Sequence, residues 1–509
     1  MTRRCLLAAG WLFALLLSPG GLLAQPPEIF SEELVIRERE ILVDPPDDLA
    51  GRGLQPEDFR VRVDGQPREV TRAERARDWT IVLYVDEVLA TPGSIFYSGL
   101  ALANRARELT RAGTVEVAVA GPDPHPVLQP TRDAHRVEQT LVDLAAAARV
   151  KRDRSEALAA AAGGPSAAQI RRQLEKLVAL LADRRPAGPH AVILVADGPD
   201  LPPEQAALVE RRDPSGIEAS SPAAAFHRAA RLLAAYGWVA IPIPLRKEGA
   251  GMEIAPQREI DIFREGSAPS DHQNSVPPIM PGRPPAKTTL AWTGVIEFLV
   301  EPKTAALRVL SRATAGTVIG FEQQIGPLLA ALSRRWRLWI AEPEMPLDGR
   351  LHSLEVSLAD QFGIGVAPTG LAVSLPGEAK TVRAPQWIRT STPEPIAELR
   401  LANLLAGQPA GGDLPVEISL HRTPSGLELR LALAPGSTLS GPVRLSWGFP
   451  GEEGVGGIRH VMLRDMERGW RHSERIAAPP GIRRMAVVVE ALGAERWRGA
   501  VLEMPGGGS

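Results

Sequence analysis

Apolar and charged residues alternate in two stretches of residues 28–75, which read ELVIREREILV and FRVRVDGQPREV. A period of two is typical of half-buried β-strands, because successive side chains of a strand point to opposite faces. Asp64-Gly65 lies between two such runs and predicts a hairpin turn, since glycine accepts a positive φ without steric cost. Residues 28–75 are therefore interpreted as a small β module, too short to bury much surface alone.

Continuous apolar runs replace this alternation between Asp78 and Leu245, where they read TIVLYVD, TVEVAVAG, HAVILVADG and WVAIPIPL. Such runs are typical of strands that are covered on both faces. Helical stretches lie between them, and the clearest begins at Ser166, which forms a capping-box pattern with Gln169. One face of this helix carries apolar residues at helical spacing: Ile170, Leu174, Leu177 and Leu181. The alternation of strands and helices predicts an α/β fold with a doubly wound, mainly parallel sheet over residues 76–360.

Three further patterns follow this sheet. Residues 247–289 are rich in proline, glycine and serine and predict an extended insertion within the domain. The strand-like runs RWRLWIAEP and RLHSLEVSL flank Asp348-Gly349 and predict a hairpin. Residues 386–505 read as alternating strand pairs joined by Pro, Gly and Ser turns, which predicts an antiparallel C-terminal β-sandwich.

The first 24 residues have the three parts of a secretory signal peptide: basic Arg3 and Arg4, an apolar run over 5–17, and small residues ending at Ala24. A membrane anchor is the alternative, but the apolar run is shorter than the roughly 20 residues that span a bilayer. We therefore expect cleavage after Ala24, a secreted location in the periplasm or outside the cell, and no transmembrane anchor afterwards. Cys5 is the only cysteine, so a cleaved chain has no disulfide and no thiolate.

Composition and motifs exclude several classes of function. The chain of 509 residues has 44% hydrophobic and 23% charged residues and a formal net charge of −2, which is typical of a folded multidomain protein. It has no basic surplus for nucleic acid. It also contains no phosphate-binding loop, no nucleophile elbow and no His-Glu-x-x-His pair. We therefore expect no nucleic-acid partner, no cofactor and no enzymatic activity.

The order of the segments resembles a von Willebrand factor A (VWFA) domain, with VLYVDEVLATPGS at the first strand, VILVADGPD at a later one and AYGWVAIPIPL after the next helix. The flanking segments are similar to those of exported bacterial VWFA-related proteins: LQPEDFRVRVDGQPREV precedes the domain, and LSRATAGTVIGFEQQIGPLLAALSRRWRLWIAEPEMPLDGRLHSLEV follows it. The resemblance covers about Phe30 to Leu358. It implies a VWFA fold that binds a partner.

The resemblance also implies a Mg²⁺ site (MIDAS), built from Asp-x-Ser-x-Ser on the first loop, a threonine on a second loop and a later aspartate. Asp86 stands at the first position and Asp197 at the last, whereas Val88 and Ala90 stand where the family has serines. Mg²⁺ requires octahedral oxygen coordination, so the loss of two hydroxyl ligands predicts a degenerate site without metal. The alternative role of both aspartates is to accept backbone N–H groups at helix N-termini.

Glu87 and Ser94 are the other oxygen donors of this loop and could rebuild a metal site. Without a metal, the domain must bind through shape and apolar contact, and the candidate interface residues are Leu89, Phe96 and Tyr97. We expect an exported, non-enzymatic protein-binding or scaffold protein whose protein partner is unidentified. The alternative is an enzyme that processes an envelope polymer or carbohydrate with an unrecognised carboxylate pair.

Overall fold

The computed structural model describes residues 38–504 with gaps, the longest of which are 156–164, most of 200–220, 246–301 and 360–381. The predicted signal peptide and the predicted insertion of residues 247–289 lie outside the described residues. Among the helices that are described, none is both long enough and apolar enough to cross a membrane.

The bounds of the strands and helices are as follows. The strands are β1 (Glu38–Val43), β2 (Phe59–Val63), β3 (Gln66–Arg68), β4 (Val70–Arg75), β5 (Trp79–Asp86), β6 (Gly113–Ala120), β7 (Pro124–Thr131), β8 (His190–Val195), β9 (Trp238–Pro242), β10 (Trp336–Ala341), β11 (Leu351–Leu358), β12 (Trp387–Arg389), β13 (Val416–Thr423), β14 (Gly426–Leu433), β15 (Val443–Gly451), β16 (Gly454–Leu463), β17 (Arg471–Ile476), β18 (Arg484–Ala491) and β19 (Arg496–Glu503). The helices are α1 (Pro92–Ala103), α2 (Ala106–Ala112), α3 (Ala134–Ser155), α4 (Ala167–Ala182), α5 (Pro222–Ala235), α6 (Pro302–Ala313), α7 (Ile325–Leu332) and α8 (Glu394–Leu405).

A five-stranded sheet of order β7-β6-β5-β8-β9 forms the centre of the α/β unit. Strands β5, β6, β8 and β9 pair in parallel, and only the edge strand β7 is antiparallel to its neighbour. Helices α1, α2, α3 and α7 share a hydrophobic core with one face of the sheet, whereas α4, α5 and α6 share a core with the other. The predicted α/β class is confirmed, and β7 is an addition that the sequence pattern did not predict.

The β module contains strands from both sides of the α/β unit. Its two sheets have the orders β1-β10-β4 and β12-β11-β2-β3 and share one core, with members such as Ile41, Phe59, Leu338 and Val356. The predicted turn between β2 and β3 is confirmed, with positive φ at Asp64 and Gly65. The strands that follow the α/β unit thus complete a module that the first strands begin.

The predicted hairpin of residues 335–343 with residues 350–358 is wrong. Strand β10 pairs with β1 and β4, and β11 pairs with β2 and β12, so the two strands lie in different sheets. The reason is that both strands complete sheets begun by residues nearly 300 positions earlier, such as Val43 opposite Trp336. Pairing at this distance leaves no local signal in the sequence.

The C-terminal region contains two antiparallel sheets of order β13-β14-β17 and β16-β15-β18-β19. Their facing side chains form a common core that includes Leu429, Leu445 and Val487. The opposite face of β18 packs against α8, where Leu401 and Leu404 contact Ala486 and Val488. The predicted region 386–505 therefore begins with β12, which belongs to the β module, and with α8, which the sequence pattern did not predict.

Candidate functional site

The carboxyl ends of β5 and β8 bring Asp86 and Asp197 to the same edge of the central sheet. Asp86 is the last residue of β5, Asp197 lies two residues after β8, and the two strands are parallel neighbours. In the sheet, β6 lies on one side of β5 and β8 lies on the other. The chain therefore builds the sheet outwards from β5 first in one direction and then in the opposite direction. Such a point, where the strand order reverses, is the usual ligand crevice of an open α/β sheet.

The Asp86 side chain stabilises the loop that follows its own strand. Its Oδ1 accepts the N–H groups of Val88 at 2.9 Å and Leu89 at 2.8 Å, and the residue is only 1% exposed. Burial raises its pKa to about 6, although these two N–H groups and the nearby charge of Lys176 act in the opposite direction. This carboxylate therefore caps a turn at a considerable desolvation cost.

Asp197 stabilises the same loop from the neighbouring strand. Its Oδ2 accepts the N–H of Thr91 at 2.6 Å, and its own N–H donates to the Leu89 carbonyl at 2.9 Å. The next residue, Gly198, has a φ of +75°, which lets the chain turn away at once. The two aspartates together fix residues 87–91, the loop between β5 and α1.

The side chains of this loop supply few oxygen ligands to a metal. Val88 is partly exposed and Ala90 is buried, and neither side chain contains oxygen. Glu87 is exposed and its carboxylate pairs with Lys151 on α3 at 2.6 Å. Thr91 caps α1, its Oγ1 accepting the N–H of Ser94 at 3.2 Å.

Ser94 lies in the first turn of α1 and is 1% exposed. Its hydroxyl, like that of Tyr84 on β5, is buried without a hydrogen-bond partner among the described residues. No group of three or more His, Cys, Asp and Glu side chains able to hold a metal occurs in the part of the chain that the structure describes. The residues of this loop do not fit the octahedral oxygen shell of Mg²⁺, because aliphatic side chains stand at the two positions where the resemblance implies serines, and one oxygen of each aspartate already accepts backbone N–H groups.

The candidate interface residues differ in their exposure. Leu89 is 5% exposed and belongs to the core beneath α4 and α5, so its assignment to an interface is corrected: its side chain is needed to fill that core. Phe96 and Tyr97 are half-buried on α1 and contact each other edge to face, with ring centroids 5.1 Å apart. Of residues 198–203, which follow Asp197 in the chain, only Gly198 and Pro199 are described.

Sequence reasoning missed a cavity of about 600 Å³ between α4, α5 and the start of α8. Helices α4 and α5 cover the face of the central sheet opposite α1. Charged and apolar side chains line the cavity together, including Arg171, Glu175, Arg228 and Arg231. The spacing of these four residues, i and i+4 on α4 and i and i+3 on α5, was the available signal, because it places each pair on one helix face.

Comparisons with known proteins add little beyond this geometry. No protein-family model matches the chain, and no curated protein matches it either. Similar solved structures include the conserved hypothetical protein BatB from Bacteroides thetaiotaomicron, which is 11% identical with a TM-score of 0.26 and matches 50% of this chain and 99% of its own.

Two others are an aerotolerance-related membrane protein from Bacteroides fragilis and the vWF domain of the type V pili tip protein Mfa5 from Porphyromonas gingivalis. The first is 11% identical with a TM-score of 0.25 and matches 50% of this chain and 98% of its own. The second is 10% identical with a TM-score of 0.21 and matches 35% of this chain and 84% of its own. These scores are too low to carry an argument, so the description of the fold rests on the strand pairing of this chain.

Proposed function

We propose that the protein is an exported, non-enzymatic protein-binding or scaffold protein that uses a VWFA-like α/β domain with a degenerate metal site. One observation carries the proposal. Asp86 and Asp197 both bind backbone N–H groups of loop 87–91, while Val88 and Ala90 offer no oxygen where the resemblance implies serines. The aspartates thus have a structural role that does not need a cation, and the crevice is left to bind by shape and apolar contact. Export is supported by the pattern of the first 24 residues.

The metal part of the proposal is tested by thermal unfolding of the full chain in millimolar Mg²⁺ and in excess chelator. A ligand that binds only the native state must raise Tm by mass action. Since we expect no Mg²⁺ to bind, the Tm values in Mg²⁺ and in chelator should be equal. Asp86→Ala should leave this lack of response unchanged. The matched variant is V88S/A90S, which returns two hydroxyls to the loop. A rise in Tm with Mg²⁺ that depends on Asp86 in the wild-type chain would contradict a degenerate site.

The binding part is tested with a photocrosslinking residue at Tyr97, introduced into the chain in its native envelope. Tyr97 is half-buried on α1, the helix that follows loop 87–91, whereas Met462 on β16 is 47% exposed and serves as the control position. We expect a defined crosslinked protein from Tyr97 and not from Met462, and Tyr97→Ala should weaken binding of that protein by about 1–3 kcal/mol. Equal crosslinking from both positions would reject this face as the binding surface.

A further inference from the structure

The cavity between α4 and α5 has the size and the lining of a small-molecule site. Its volume of about 600 Å³ lies within the range of roughly 300–1,000 Å³ that is usual for such sites. Segments 349–351 and 393–395 close it at one side, where α8 begins. Its apolar lining includes Leu174, Val178, Leu232 and Leu399.

Arg231 and Arg350 line the cavity without an ion pair among the described residues, and of these two only Arg231 is partly buried. Arg228 donates to Glu398 at 2.6 Å, so its charge is already paired. Arg231 stacks on the ring of Trp387 with its guanidinium carbon 4.2 Å from the ring centroid. The Arg231 Nε is buried without a hydrogen-bond partner among the described residues, and no described carboxylate forms an ion pair with this side chain. Burial lowers its pKa, as expected for a charge that lacks compensation.

Two acidic residues of the lining limit the charge that a ligand can carry. Glu175 lies on α4 and Glu394 at the start of α8. Burial raises the pKa of Glu175, although the nearby charges of Arg228 and Arg171 oppose this. Negative charge is disfavoured next to Glu175 and Glu394, whereas a carboxylate can pair with Arg231 and extend an apolar body across the leucines. The planar guanidinium also matches a carboxylate in a two-point contact.

We propose that this cavity binds a small amphipathic carboxylate, whose carboxylate pairs with Arg231 and whose apolar body packs on Leu174, Val178 and Leu232. The site lies between α4, α5 and the start of α8, no residue of loop 87–91 lines it, and it does not depend on the function proposed above. Because the start of α8 forms one wall, the ligand would contact the α/β unit and the helix that carries the C-terminal sheets.

The test is calorimetric titration of the full chain with sodium decanoate, decyl phosphate and decyltrimethylammonium, each below its micelle concentration. We expect saturable binding of one decanoate, and at least tenfold weaker binding of the other two. Arg231→Gln should weaken decanoate binding by at least tenfold. Ala225→Leu narrows the cavity while Arg231 stays in place, and should have a similar effect. Glu175→Gln should tighten binding.

The matched control is Arg136→Gln, which removes an exposed arginine from α3 on the opposite face of the sheet and should leave the affinity unchanged. The Tm of each variant is compared with that of the wild-type chain, so that a folding defect is recognised. If Arg231→Gln does not fold, the effect of Ala225→Leu on decanoate affinity still tests whether the ligand binds in this cavity. The proposal is overturned if decanoate does not bind, if the cation binds equally well, or if both cavity variants keep the wild-type affinity. Preferential binding of decyl phosphate would overturn the assignment to a carboxylate.

Discussion

Asp86 is a single residue whose burial makes the stability of the fold depend on pH. Its pKa rises from 3.8 to about 6 in the folded chain, chiefly because burial disfavours the charged form. The folded chain therefore binds this proton more tightly than the unfolded chain does. This tighter proton binding stabilises the folded chain fully below about pH 4, and the stabilisation is lost as the pH rises towards about 6. The free energy of unfolding therefore decreases over this interval.

We expect Asp86→Asn to remove this decrease, because the amide oxygen can still accept the N–H groups of Val88 and Leu89. The difference between 3.8 and about 6 corresponds to about 3 kcal/mol. Urea unfolding at about pH 4 and about pH 7, in the presence of chelator, measures it. Asp413→Asn changes an exposed carboxylate and should follow the wild-type curve. An Asp86→Asn variant that keeps the wild-type pH dependence would contradict the assignment.

Substitutions of Leu89, in loop 87–91, and of Tyr97, on the following helix α1, should differ in their effect on stability. Leu89 is buried in the core beneath α4 and α5, so Leu89→Ala should lower the free energy of unfolding by about 2–5 kcal/mol. Tyr97 is half-buried and contacts the core only in part, so Tyr97→Ala should lower it by about 1–2 kcal/mol. Chemical denaturation of the two variants measures the difference. A larger loss from Tyr97→Ala would place Tyr97 in the core and remove it from the candidate interface.

At the scale of single elements, α4 begins with the capping box that its sequence predicts. Ser166 Oγ accepts the N–H of Gln169 at 3.3 Å, and Gln169 Oε1 accepts the N–H of Ser166 at 2.8 Å. We expect Ser166→Ala to lower the free energy of unfolding by about 1 kcal/mol, because it removes one of these acceptors. Ser166→Asp keeps an acceptor and should retain most of the stability. Equal losses from both substitutions in urea unfolding would show that the cap contributes little.

Elements with local signals were predictable, and elements fixed by distant contacts were not. The four parallel strands and the Asp64-Gly65 turn follow from runs of a few residues. Strand β7 was missed because it contains Pro124, Pro126 and Pro130, which the edge of a sheet tolerates. Helix α8 was missed because its apolar residues form no single stripe: Ile396 packs on the α/β core and Leu401 on the C-terminal sheet.

The candidate site shows the same division. The positions of Asp86 and Asp197 at strand ends could be anticipated, since the carboxyl ends of parallel strands lie at one edge of a sheet. The hydrogen bonds of Asp197 to the loop after β5 could not, because they join residues more than 100 positions apart. The cavity could be anticipated only in part: helical spacing places charged residues on one face of α4 and of α5, but α8 supplies one wall and its position depends on packing.

At the scale of the whole molecule, a network of ion pairs links the α/β unit to the C-terminal sheets. Glu490 on β18 accepts from Arg400 on α8 at 2.6 Å and from Arg444 on β15 at 2.8 and 2.5 Å. Arg400 also pairs with Asp183 at the end of α4, at 3.0 Å. A second contact joins the β module, where Arg39 on β1 and Arg389 on β12 both pair with Glu495 between β18 and β19.

We expect Glu490→Gln to lower the free energy of unfolding by about 3–5 kcal/mol, because it leaves two buried guanidinium groups without their shared counter-charge. Arg400 would then keep only its pair with the half-exposed Asp183 of α4, so the link between the units should weaken. Calorimetry should therefore resolve two unfolding transitions in the variant, whereas we expect one in the wild-type chain. Glu428→Gln breaks a pair with the exposed Arg430 on the single strand β14 and should leave the transition unchanged. A single transition of wild-type temperature in Glu490→Gln would mean that apolar packing of α8, and not this ion network, couples the two units.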